Sequence, residues 1–191
     1  MEDRPRSSLE DVGTLGMYLL IAALGMLFAA SVVGYLAIRA IHQPWPPPGF
    51  PELPRTLWLS TLAILLCSLT VHTALKGIRA GQQRRLRRDL VLTLALGVTF
   101  LALQCLAWYQ IVRQIDAPTK NIGPYLRLFY VLTGLHAVHV LGGLGTLAVV
   151  TRRAFAGRYT AEEHRGVHYS AIYWHFLDVV WCVLFVVVYL I

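Results

Sequence analysis

The sequence is 191 residues long, 57% hydrophobic and only 14% charged, with 17 lysines and arginines against 10 acidic residues. Because the charges are segregated from long apolar stretches, this composition excludes an ordinary water-soluble domain and indicates an integral membrane protein. The formal net charge of +7 suits loops that face anionic lipid headgroups, and we expect no nucleic-acid partner.

Five apolar stretches are each long enough to cross a hydrocarbon core about 30 Å thick as a helix. Sustained alternation of the kind found in strands is missing, so the sequence predicts an all-α integral membrane bundle of five transmembrane helices. No polar connection is long enough for a soluble domain, and residues 1–191 are expected to form a single membrane domain. The predicted spans are residues 15–38, 56–75, 90–111, 129–150 and 168–191.

The first span is expected to be retained, because its apolar region is too long for a signal peptide and acidic residues precede it. Between the first two spans, residues 44–54 contain too many prolines for a helix and predict a semi-rigid extended segment. The connection between the second and third spans, which contains the run RRLRR at 84–88, is predicted to be a solvated turn with helix ends.

Lysine and arginine are concentrated on alternate connections. The first and third connections contain only five: Arg39, Arg55, Arg113, Lys120 and Arg127. Since positive charge marks the cytoplasmic side, we expect a cytoplasmic N-terminus and a periplasmic C-terminus. The cytoplasmic set is Arg4, Arg6, Lys76, Arg79, Arg84, Arg85, Arg87, Arg88, Arg152, Arg153, Arg158 and Arg165.

The fifth span contains an ionisable pair, His175 and Asp178, which lie three residues apart and therefore on one face of a helix. Trp174, Asp178 and Trp181 follow the i, i+4, i+7 pattern, so this face is expected to meet protein rather than lipid tails.

The fourth span contains His136 and His139, and further polar groups are His72 in the second span and Gln104 in the third. His139 and Asp178 both fall near the middle of their spans. We therefore predict that they belong to a buried polar cluster that fixes the fourth helix against the fifth.

Three interpretations of these histidines remain open from the residues alone. They form a structural polar cluster or contact lipid headgroups, they ligate haem or a metal, or they relay protons. A metal site needs three or four convergent ligands and a bis-histidine haem needs imidazoles on opposite sides of the ring. The pair at 136 and 139 supplies two imidazoles from a single helix. A small transporter is a further alternative, against which the odd number of spans and the absence of an internal repeat count.

Several motifs resemble subunit III of the haem-copper oxidases, in the same order over nearly the whole chain. The fifth span, YWHFLDVVWCVLFVVVYLI, is similar to the family's C-terminal helix, and TGLHAVHVLGG at 133–143 is similar to its TGxHxxHVxxG pattern. LGM at 15–17 and WPPPG at 45–49 resemble the first shared helix and the loop after it, and residues 100–104 resemble the next-but-one helix.

The resemblance implies the short, five-helix form of an accessory, non-catalytic subunit in a bacterial respiratory terminal oxidase of the inner membrane. Its partners would be the catalytic subunit I, subunit II and phospholipids, and a further small subunit that replaces the two missing helices is left open. Haem and copper would belong to the catalytic partner, with no catalytic residue, cofactor or metal in this chain. The subunit would support assembly, lipid binding, proton uptake and sustained turnover, and its topology agrees with the charge distribution.

Residue by residue, the resemblance carries over to six motif positions, expected to form a buried polar cluster or a lipid or partner contact. Arg152 or Arg153 falls where the family has a basic residue suited to a lipid phosphate. Leu24 and His168 stand where the family commonly has glutamates, so the carboxylate roles of those glutamates are not expected here. The six motif positions are His136, His139, Trp174, His175, Asp178 and Trp181.

The motifs shared within the family do not separate a cytochrome c oxidase from a quinol oxidase or a nitric oxide reductase. An accessory subunit of either of the latter two therefore stays an alternative.

Overall fold

The structure, a computed structural model, describes residues 6–46, 53–114 and 123–190, and side chains within 12–46, 53–114 and 123–189. It contains five α-helices and, within these ranges, no strand. A π-helical turn, Val186–Leu190, continues the last helix. The helices are α1 (Arg6–Ile41), α2 (Thr56–Arg79), α3 (Gln83–Gln114), α4 (Pro124–Phe155) and α5 (Arg165–Phe185).

Each helix contains a segment long and apolar enough to span a membrane, which confirms the predicted all-α fold with five spans. The helices are longer than the apolar stretches because polar and basic residues continue the backbone hydrogen bonding beyond them. The clearest correction is α3, which begins at Gln83 rather than Leu90, so the arginine run predicted as part of a turn is helical.

Two glycines end helices at the same end of the bundle. Gly81 follows α2 and Gly157 follows α4, both with positive φ (70° and 68°). In each case the glycine N–H donates to a carbonyl three residues back, and the next residue's N–H donates to a carbonyl five residues back. This pattern satisfies the last carbonyls of a helix and is favoured by glycine, which adopts positive φ without a steric penalty.

Helices α2 and α3 form a closely packed hairpin, and α5 packs against α2 and α4. Helix α3 also packs against α4, so α2 to α5 enclose the main core, with α1 on the outside against α4 and α5. The α2–α3 and α4–α5 connections lie at one end, which we call the basic end. There Gln83 Nε2 donates to the Tyr159 carbonyl (2.7 Å) and Arg87 Nε to the Ala154 carbonyl (3.1 Å), which ties α3 to the α4–α5 connection.

Parts of two sequence-based predictions lie outside the described residues. The proline-rich segment predicted over 44–54 is described only at 44–46 and 53–54. Residues 1–5, 47–52, 115–122 and 191 lie outside, including Arg4 and Lys120, which belong to the charge pattern used to predict orientation.

Candidate functional site

The polar side chains of α5 that face α2 meet hydroxyl groups of that helix. Trp181 Nε1 donates to Thr61 Oγ1 (3.0 Å), and Ser68 Oγ hydrogen-bonds His175 Nδ1 (2.6 Å). Thr61 and Ser68 are seven residues apart on α2, and His175 and Trp181 are six apart on α5, which is about two turns in each helix. Because the two helices are antiparallel, both hydrogen bonds can form at once. We call this interface the α2–α5 polar seam, and it consists of Thr61, Ser68, His72, His175, Asp178 and Trp181.

Asp178 lies within this seam, next to the centre of the span Arg165–Tyr189, and is only 4% exposed. The Ser68 hydroxyl, which hydrogen-bonds His175, also lies beside the Asp178 carboxyl. Neither carboxyl oxygen has a hydrogen-bond partner among the residues that the structure describes. Asp178 is therefore a buried acidic group at mid-depth.

His139 and Asp178, which the prediction puts in one polar cluster, form no hydrogen bond with each other. His139 is half-buried, and its Nδ1 donates to the Leu135 carbonyl of its own helix (2.8 Å). The α5 face that meets α4 includes Tyr173, whose hydroxyl donates to the His139 carbonyl (3.1 Å), and Leu177, which is close to Gly143. Asp178 is one residue further on, about 100° around the helix, and is turned towards α2.

His136 lies in an aromatic box where four helices meet. Its ring centroid is 6.2 Å from Phe28 of α1, 5.8 Å from Phe100 of α3 and 5.3 Å from Trp181 of α5. The residue is fully buried, and neither ring nitrogen has a hydrogen-bond partner within the described ranges. The Phe28 ring also contacts His139, at 5.2 Å.

Trp174, also fully buried, fills a gap left by a glycine. A Cβ built on Gly97 of α3 would lie 2.9 Å from Cη2 of Trp174 and 2.8 Å from Cδ2 of Leu144 in α4. Only a residue without a side chain allows three helices to come this close. The Trp174 Nε1 has no hydrogen-bond partner among the described residues.

The predicted lipid-contact residues, Arg152 and Arg153, are exposed in the last turn of α4. They are thus at the basic end of the bundle and away from the buried polar groups.

Sequence reasoning missed the hydroxyl partners Thr61 and Ser68 and the close approach at Gly97. The two hydroxyl partners could have been found from the sequence, because they lie seven residues apart within an apolar span and therefore on one face of a helix.

Within the described ranges, no group of three or more histidine, cysteine or acidic residues is placed to hold a metal ion. The ring centroids of His72 and His175 are 6.0 Å apart. Ser68 Oγ hydrogen-bonds His175 Nδ1, and Asp178 lies in the same seam, an arrangement that suits packing and hydrogen bonding between helices.

Five long apolar helices around a core of imidazole, indole and hydroxyl groups define a helical, multi-span membrane protein. The family model described as cytochrome c oxidase subunit III matches residues 9–191. The chain belongs to this family, which confirms the resemblance found in its motifs.

Individual relatives agree with the family assignment. The chain is 35% identical to the cytochrome c oxidase subunit 3 of Synechocystis sp. over 182 residues, which cover 94% of this chain and 76% of that protein. It is 32% identical to the subunit 3 of Thermostichus vulcanus, over 94% of this chain and 88% of that protein. With the longer subunit 3 of Cyprinus carpio it is 40% identical over 76% of this chain and 54% of the relative.

Proposed function

We propose that this chain is an accessory, non-catalytic subunit of a bacterial respiratory haem-copper terminal oxidase. The observation that carries the proposal is the family match over residues 9–191, which includes membrane-spanning segments of all five helices. In this function the chain forms one membrane domain that packs against the catalytic subunit I and assembles with subunit II. Haem and copper reside in the catalytic partner. The chain supports assembly, proton uptake and sustained turnover.

Phospholipid binding is part of the proposed role. A groove of about 380 Å³ opens between α1, α4 and α5, lined by Met17, Leu20, Thr146, Tyr169 and Tyr173 among others. Its mostly apolar walls suit an acyl chain, and Thr146 lies about two turns before Arg152 and Arg153 on α4. Their guanidinium groups are suited to the phosphate of a lipid headgroup at the membrane surface.

The proposed location is the inner membrane, with the N-terminus in the cytoplasm and the C-terminus in the periplasm. The support is the distribution of basic residues: the helix ends and connections at the basic end, together with the N-terminal segment, hold 12 of the 17 lysines and arginines. This asymmetry is the strongest orientation signal that a chain with short loops carries.

The buried site has a structural role in this proposal. His136, Trp174, Asp178 and Trp181 link α5 to its neighbouring helices, while His139 contacts α1 through Phe28. The site gives the bundle a fixed shape against which the catalytic subunit docks.

Purification through a tag on this chain, in mild detergent, tests the function. Mass spectrometry of the proteins and an optical spectrum are recorded on the same sample. We expect a large haem-copper subunit with its haem absorption, together with a companion that identifies cytochrome c, quinol or nitric oxide chemistry. A solitary, haem-free chain, under conditions that preserve other respiratory complexes, would contradict the proposal.

A further inference from the structure

The outward face of α2 carries a row of exposed side chains at alternating spacings of four and three residues. This seven-residue repeat lets one helix pack along another in a left-handed coiled coil. The four apolar members are 47% to 58% exposed. We call this row the α2 stripe, and it consists of Trp58, Leu62, Leu65, Leu69, His72 and Lys76.

An apolar row alone would suit lipid tails, but the apolar part of the stripe ends at Leu69, and His72 follows it. His72 is exposed and lies about one turn from the centre of the span Thr56–Arg79. Among the described residues, no side chain hydrogen-bonds its ring. Polar groups at this depth are costly in contact with acyl chains and normally face protein or a water-filled cavity. The stripe therefore suits a protein helix better than lipid.

A second imidazole lies beside the stripe at the same depth. The half-buried ring of His175 is 6.0 Å from that of His72, measured between centroids. Ser68 holds its Nδ1 at 2.6 Å, which fixes the ring and leaves Nε2 for a second partner. Two helices thus present imidazole groups to the same neighbouring position.

The exposed face of α4 offers a contrast. Val131, Val138 and Leu141 are 58% to 65% exposed and form an entirely apolar row. Nothing polar interrupts them at mid-depth, so this face suits acyl chains.

We propose that a transmembrane helix of the catalytic subunit lies along the α2 stripe and places a hydroxyl, amide or carboxyl side chain against His72 and His175. This inference rests on the proposed function, since it names the surface through which the chain meets its catalytic partner. Imidazole can donate and accept a hydrogen bond, so a single side chain of this kind satisfies both rings.

Site-specific photocross-linking in intact membranes tests the docking surface. A benzoylphenylalanine replaces Leu69 in one variant and Leu141 in a matched control, and both leucines are 58% exposed. We expect a cross-link from position 69 to the catalytic subunit and none from position 141. A product with a second copy of this chain at position 69, or a cross-link to the catalytic subunit from position 141 alone, would overturn the proposal.

The unmodified tagged chain is purified in parallel. This control distinguishes a failure of the proposed function from a failure of the proposed docking surface. If no haem-copper subunit co-purifies, the proposed function fails. If it co-purifies but the cross-link forms at position 141 instead of 69, only the docking surface is wrong.

Substitution at His72 tests the hydrogen bond itself. We expect His72→Leu to lower the fraction of oxidase that retains this chain in a stronger detergent by roughly threefold to tenfold, the range of an interhelical hydrogen bond in a membrane. His72→Gln, which keeps a donor and an acceptor, restores retention. Thr99→Val is the control, because exposed Thr99 bonds the Ala95 carbonyl of its own helix. If the His72→Leu oxidase retains this chain as well as the wild type does, His72 does not hydrogen-bond the catalytic subunit.

Discussion

Trp181 is the side chain at which most of the bundle meets. Its ring lies 4.9 Å from that of Phe100 and 5.3 Å from that of His136, while its Nε1 donates to Thr61. One residue of α5 thus contacts α2, α3 and α4. Because it is only 2% exposed, its removal leaves a cavity that no neighbouring loop can fill.

Two substitutions at Trp181 separate packing from hydrogen bonding. We expect Trp181→Ala to lower the free energy of unfolding in mixed micelles by about 3–5 kcal/mol, the usual effect of removing a buried large aromatic ring. Trp181→Phe should cost about 1 kcal/mol beyond the smaller ring's lost contacts, because Thr61 loses its donor. If Trp181→Phe and Thr61→Val reduce stability additively in the double variant, the hydrogen bond does not contribute.

A substitution at Asp178 tests whether this residue serves assembly of the oxidase or takes part in its reaction. We expect Asp178→Ala to reduce the yield of assembled oxidase by roughly threefold or more, since it opens a gap in a packed interface at mid-membrane depth. The turnover of the complexes that do assemble, measured per haem, should stay close to that of the wild type. A normal yield with lost turnover would show instead that the carboxyl takes part in the chemistry.

The burial of three α5 residues could be predicted at this scale, but not which residues they meet. The i, i+4, i+7 pattern placed Trp174, Asp178 and Trp181 on a protein-facing side, and all three are buried. That His139 and Asp178 share one polar cluster stays a prediction, and the structure turns Asp178 towards α2 and places His139 against Phe28 of α1. The rotation of each helix about its axis decides which neighbour a side chain meets. Periodicity within one helix contains no information on that rotation.

The packing of α3 depends on a single position without a side chain. Gly97 faces Leu144 of α4 and Trp174 of α5, with less than 3 Å between each and a Cβ built on the glycine. A methyl group there must push two buried side chains or the helix itself. Gly145 of α4, by contrast, is exposed, and a Cβ would meet nothing within 4 Å.

We expect Gly97→Ala to destabilise the bundle by about 1–3 kcal/mol, because overpacking outweighs the gain in helix propensity. Gly145→Ala is the matched control and should leave stability unchanged or raise it by up to about 1 kcal/mol. Unfolding in mixed micelles measures both. Equal effects of the two variants would show that the close approach at Gly97 is not a constraint.

The number and type of the helices could be predicted because the apolar stretches match the thickness of a bilayer. Their ends could not, since the arginine-rich start of α3 is helical although it is far from apolar. The ends of α2 and α4 are set by Gly81 and Gly157, whose positive φ stops each helix. A glycine followed by a polar run was a usable signal for these two ends.

Charge divides the whole molecule into a basic end and a poorly charged end. The basic end carries the α2–α3 and α4–α5 connections, where arginines flank both turns. Some of these charges are tied into the fold: Arg88 Nε is 2.9 Å from the buried Asp89 carboxylate, and Arg87 bonds the Ala154 carbonyl. Arg152 and Arg153 are exposed in the last turn of α4 and are suited to anionic lipid headgroups.

Reporter fusions measure the proposed orientation. We expect alkaline phosphatase to be active when fused after the C-terminus, and inactive when fused after Gln82 in the α2–α3 connection, because the enzyme folds only in the periplasm. A green fluorescent protein at the same two positions serves as the inverse control. The opposite pattern would reverse the orientation and with it the proposed placement of Arg152 and Arg153 among cytoplasmic headgroups.

An accessory role has a kinetic signature that distinguishes it from a catalytic one. Oxygen consumption is followed over time with oxidase purified from cells that lack this chain, and with oxidase from cells in which it has been restored. We predict equal haem content and a similar initial rate per haem, followed by a faster loss of activity without the chain, because it supports rather than performs the reaction. A haem-replete complex that is inactive from the first turnover, or one that stays active equally long without the chain, would contradict the account.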